Sequence, residues 1–172
     1  MRFDNLFDNL SGEFYRIERS KFMAQRLDLA AYDRDDQLAL VVEVKRKVDA
    51  SKDWVSQLRR NIMAHGVFPN PPFFLLALPD RFYLWKNGND STSDPSYAID
   101  AEPLLRPYFE RAGVQADKIS SQSLELMVAA WLNELVHTGK KPSELESSEQ
   151  WLIESGLYEA LMGGRLDRET VA

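Results

Sequence analysis

Residues 38 to 47 read LALVVEVKRK, and this stretch narrows what the chain can fold into more than any other. A β-branched run that is apolar in nearly every position belongs in the middle of a sheet, buried on both faces. Yet Glu43 interrupts the run and Lys45 closes it. A carboxylate taken out of water needs a partner or shifts its pKa. The strand therefore predicts both a sheet centre and a reason for a charge inside it.

The segments around this strand give the order of elements. Phe3 to Ile17 carries apolar residues at helical spacing. Arg26 to Tyr32 reads as a strand, the cluster Asp33 to Asp36 as a solvated turn, and Gln37 to Lys45 as the longer strand that pairs back on the first. Ser51 is an N-cap for a helix carrying Trp54, Leu58 and Ile62, which ends near His65-Gly66. Prolines delimit a buried strand at Phe73 to Leu78, and Arg81 to Lys86 forms the next. Asn89 to Ser96 reads as a polar loop, and everything beyond it as helical: Leu104 to Ala112, a stripe from Leu124 to Leu135, and a last helix from Trp151 to Leu161 ending at Gly163-Gly164. The fold class is α/β: residues 1–112 form a mixed sheet of four to five strands flanked by helices, and residues 113–172 form a C-terminal helical extension.

Glu43 and Lys45, two apart on a strand, project from one face. If the two strands pair, Asp28 reaches Glu43 on that face. Carboxylates gathered in this way repel unless they share a cation, and Mg²⁺ takes one or two carboxylates together with waters and phosphate. The net charge of −6 hides an uneven distribution. Residues 45–60 hold six basic side chains against Asp49 and Asp53, whereas residues 143–172 hold seven acidic ones against Arg165 and Arg168. The absence of cysteine excludes disulfides and thiolate chemistry. No window is apolar enough for a membrane span and the first residues do not read as a signal peptide, so the expected location is the cytoplasm, with no membrane partner.

Asp28, followed by Glu43-Val44-Lys45, resembles the PD-(D/E)XK nuclease superfamily, whose fold is restriction endonuclease-like, and the likeness spans about residues 1–88. Phe82-Tyr83-Leu84-Trp85 is similar to a pattern in the N-terminal nuclease domain of type I restriction motor subunits. The resemblance implies a Mg²⁺-dependent endodeoxyribonuclease, with Mn²⁺ able to substitute. It implies Asp28, Glu43 and the Val44 carbonyl as metal ligands, Lys45 as the residue positioning the attacking water, and Gln57 as a helper on the following helix. Glu13 or Glu18 matches the first-helix glutamate of some branches. Leu27 stands where the motif has proline, and Asn61 where a Gln-x-x-x-Tyr branch has tyrosine. Arg26, Arg46, Lys47, Arg59 and Arg60 are the expected contacts to DNA phosphates, although Arg59 and Arg60, being adjacent, do not share a helical face. A homodimer through the C-terminal helices suits double-strand scission. The competing expectation is a catalytically silent DNA-binding or assembly subunit on the same fold.

Overall fold

The computed structural model describes residues 28–65, 71–86 and 94–168. Arg26, Glu13 and Glu18 lie outside them. The chain builds a six-stranded mixed sheet between two helical layers. Strands β1 (Leu29–Tyr32) and β2 (Leu38–Val44) pair antiparallel across the Asp33–Asp36 turn. In that turn the Asp33 carboxylate accepts the backbone N–H groups of Asp35 and Gln37, both at 2.9 Å. Helix α1 (Lys52–His65) then carries the chain back to β3 (Phe73–Ala77), which lies parallel to β2. β4 (Arg81–Lys86) and β5 (Tyr97–Asp100) continue antiparallel. The Ser51 hydroxyl accepts the Trp54 N–H at 3.1 Å, so the expected N-cap is in place.

Alternation along the strands sorts the side chains between the two layers. Ala30, Val41, Phe74, Leu76 and Trp85 face α1, whose Val55, Leu58 and Ile62 cover them. Leu29, Val42, Leu75 and Leu84 face the opposite way, against the C-terminal half of the chain. That half comprises α2 (Glu102–Ala112), α3 (Ser121–His137), two short 3₁₀ turns, α4 (Gln150–Ser155), α5 (Leu157–Leu161) and a final strand, β6 (Arg165–Arg168).

Three expectations are corrected here. The C-terminal segment does not hang from the sheet as a helical appendage: Leu124, Val128, Leu132, Trp151 and Leu157 share one core with β1, β2 and β3, and β6 pairs antiparallel with β1. The sheet has six strands rather than four or five, because the short β5 and β6 extend its two edges. The last helix is two, broken at Gly156, whose φ of 85° suits glycine alone among common residues. The α3 stripe, including Trp131 stacked on Trp151, is buried within the chain, so a dimer would have to use another surface. Among the described residues no helix is long and apolar enough to cross a membrane.

Beside its ladder with β1, three contacts hold the start of β6. Arg165 donates from Nε to Asp36 in the β1–β2 turn at 2.9 Å, and its guanidinium lies 4.2 Å from the centre of the Tyr32 ring. Gly164 brings the backbone so near β1 that a Cβ placed there would meet the Tyr32 carbonyl oxygen at 1.9 Å. Gly164→Ala is therefore expected to force β6 away from β1 at a cost of about 2 kcal/mol. That corresponds to a melting temperature lower by roughly 4–8 °C, read by thermal circular dichroism.

Candidate active site

The β1–β2 register sets Leu29 opposite Val42, which brings Asp28, the residue entering β1, opposite Glu43. Both then project to the α1 side of the sheet, as does Lys45 at the exit of β2. All three are buried: Asp28 is 7% exposed, Glu43 1% and Lys45 5%. With Arg59 and Ser155 they are the buried polar or charged residues among those described. So many ionisable groups at one point of a sheet core are costly unless they work together.

Two backbone contacts hold the cluster in shape. Val44 N–H donates to Asp28 Oδ2 at 2.8 Å, a bond that takes up the ladder position beyond the end of β1. Lys45 N–H donates to the Ala77 carbonyl at 3.1 Å, fixing the lysine against β3. The N–H and C=O of one strand residue project to the same side, so the Val44 carbonyl lies on the Asp28 side too. A third tie steadies the loop after β2: Asp49 N–H donates to Asp80 Oδ2 at 3.0 Å, joining that loop to the β3–β4 turn. Asp80 was not singled out from sequence, where Pro79-Asp80 reads only as a turn.

The electrostatics of Glu43 explain what the arrangement demands. Burial pushes its pKa well above the usual carboxylate range. The nearby Asp28 charge and a side-chain hydrogen bond with Asp28 push the same way, Lys45 opposes them, and Glu125 on α3 adds a smaller upward push. Glu125 has no sequence signal beyond its place in an amphipathic helix, where it lies 3.7 Å from the Arg168 guanidinium of β6. Glu43 is thereby biased toward its protonated form. Glu43 Oε1 is buried and makes no hydrogen bond among the described residues. Two converging carboxylates with an unspent acceptor oxygen fit a small divalent cation. Among the described residues no three His, Cys, Asp or Glu side chains converge on one point, so such an ion would draw on two carboxylates, backbone and solvent or substrate.

The other expected site residues divide. Arg46 and Arg60 are exposed, and Lys47 is half-buried with its ammonium 5.3 Å from the centre of the Trp54 ring. Arg59 is corrected: it is 1% exposed and lies between Phe74 and Trp85, at 4.6 and 4.9 Å from the ring centroids, so it cannot meet a phosphate. Its place is structural, beneath α1. Gln57 is half-buried on α1, and among the described residues no hydrogen bond joins it to Asp28, Glu43 or Lys45. Neither a family model, nor a curated protein, nor a solved structure matches this chain.

A group whose folded pKa is raised favours the folded state when protonated and opposes it once ionised. Glu43 is such a group, so its effect is absent below the ordinary carboxylate value of 4.5 and grows as pH rises above it. In EDTA, Glu43→Gln should match wild type in melting temperature near pH 5 and exceed it increasingly toward pH 8. A constant difference across that range would contradict the upward push of burial on Glu43.

Proposed function

We propose that the chain is a metal-dependent nuclease that hydrolyses DNA phosphodiester bonds, related in architecture to the PD-(D/E)XK superfamily. One observation carries the reading: Asp28, Glu43 and Lys45 are buried together where β1 begins and β2 ends, with an unsatisfied carboxylate oxygen among them. The topology supports it. The antiparallel pair bearing Asp and Glu-x-Lys leads into a helix and a further strand, as the resemblance implies. Among the described residues two strands precede that helix, where the resemblance implies a three-strand meander.

Asp28 and Glu43 would hold Mg²⁺ or Mn²⁺, with the Val44 carbonyl beside them. When bound, such an ion polarises the phosphate and lowers the pKa of water. The Val44 N–H aims the Asp28 carboxylate. Lys45, held by its backbone against β3, aligns the attacking water and offsets negative charge gathering on the phosphate oxygens. Water attacks phosphorus in line, the bond to the leaving oxygen breaks, and that oxygen takes up a proton. Arg46, Lys47 and Arg60 contact neighbouring phosphates, which positions the strand without reading its sequence.

Purified protein is expected to nick or linearise supercoiled plasmid in Mg²⁺ or Mn²⁺ and not in EDTA. Lys45→Ala and Asp28→Asn should each slow cleavage by about a hundredfold or more. Equal rates in wild type and both variants would remove the assignment. Salt-dependent DNA binding without any metal-dependent cleavage would favour a catalytically silent subunit.

A further inference from the structure

The row of residues crossing the sheet at Glu43 continues past the acidic pair. Glu43 is opposite Leu76, Leu76 opposite Tyr83, and Tyr83 opposite Ala98. Alternation places all four on the α1 face, where Leu76 and Tyr83 belong to the same core cluster. At a strand spacing of about 4.8 Å, Tyr83 sits roughly 10 Å from Glu43. Helix α1 covers Leu76 but not Ala98, which is exposed. Over this edge of the sheet lies a cleft of about 420 Å³ lined by Tyr83, Ala98, Leu78, Arg81, Lys52 and Asp80, with Asp49 and Ala50 at its rim. That volume falls within the range of small-molecule sites.

The cleft is built into the same end of the fold as Lys45. Its wall residue Leu78 follows Ala77, whose carbonyl accepts the Lys45 N–H. Its rim is the loop after β2, tied down by the bond from Asp49 to Asp80. Tyr83 is 7% exposed, and its hydroxyl makes no hydrogen bond among the described residues. The hydroxyl is not sealed in the core, so it is available to a molecule in the cleft. The chemistry of the lining selects which one. Lys52 and Arg81 are balanced by Asp49 and Asp80, so the cleft has no surplus positive charge for a phosphate. Ala50, Ala98 and the edge of the tyrosine ring supply apolar surface for a flat group. Tyr83 and Arg81, which alternate onto one face of β4, supply hydrogen-bond donors for ring nitrogens and carbonyl oxygens. A nucleobase is planar, uncharged and edged with donors and acceptors.

We propose that this cleft receives an unpaired base of the nucleic-acid strand whose phosphate lies at Asp28, Glu43 and Lys45, a placement that rests on the hydrolytic reading above. The separation of roughly 10 Å corresponds to about three nucleotides along a strand at ~3.4 Å each. A base already outside a duplex enters without the cost of breaking stacking and pairing, so bulged, frayed or single-stranded positions are preferred to intact duplex.

The test is a binding measurement in EDTA, where no cleavage intervenes. The full chain is titrated into a short DNA duplex carrying a single bulged 2-aminopurine and into the same duplex fully paired. Wild type is expected to bind the bulged duplex about tenfold more tightly, with a change in 2-aminopurine emission. Tyr83→Phe, which keeps the packed ring, and Arg81→Ala, at an exposed position, should each narrow that ratio to about twofold or less. Equal affinity of wild type for the two duplexes, or an undiminished ratio in both variants, would overturn the proposal. The two readings separate cleanly. A chain that cuts plasmid but shows no bulge preference keeps hydrolysis and loses the cleft, whereas a chain that keeps the preference but never cuts loses hydrolysis alone.

Discussion

Two carboxylates cannot both be ionised in a dry sheet core without help, and the architecture around Asp28 and Glu43 follows from that constraint. Burial raises the pKa of Glu43, the Val44 N–H satisfies one oxygen of Asp28, and Lys45 opposes the upward push on Glu43. These devices soften the repulsion without abolishing it, since Glu43 Oε1 is left without a hydrogen bond among the described residues. A sheet evolved for stability alone would place valine or leucine at these positions, as it does at Val41, Val42 and Val44. The persistence of an unresolved electrostatic demand in a buried part of the sheet is the physical argument for chemistry there.

The sheet supplies the rigidity that such a demand requires. β2 lies between β3 and β1, with an apolar layer on each face, so Glu43 has little freedom to relax. The two layers also divide the work. The C-terminal helices form the larger apolar core, while the α1 layer leaves room at one end for ionisable groups and for the cleft over Tyr83. Sites on strands are held more closely than sites on loops, and here the strands carry the charged groups directly.

Much of this was legible because period-two patterning survives in a buried strand. Glu43 and Lys45 stood out against valine and leucine, the Asp33–Asp36 cluster announced a turn, and Ser51 announced a helix start. β5 and β6 were not legible. YAID and RLDR are four-residue edge strands, and RLDR is largely polar, so neither carries enough pattern to be told from a loop or a helix end. Arg59 and Arg60 look equivalent as letters. Their opposite fates, one beneath α1 between Phe74 and Trp85 and one in solvent, depend on the angle at which α1 lies on the sheet. The reading of residues 113–172 as an extension failed for a related reason. An amphipathic stripe shows that a helix must be covered and is silent on what covers it.

The pairing of β6 with β1 has a consequence for how the molecule comes into being. Among the described residues Arg165–Arg168 are what seals this flank of the strand that follows Asp28, and without them its backbone groups would be an edge open to another strand. β6 lies far later in the chain than β1, so the intervening strands and helices are made before that flank is covered. The outer wall of the acidic centre thus waits on a segment distant in sequence.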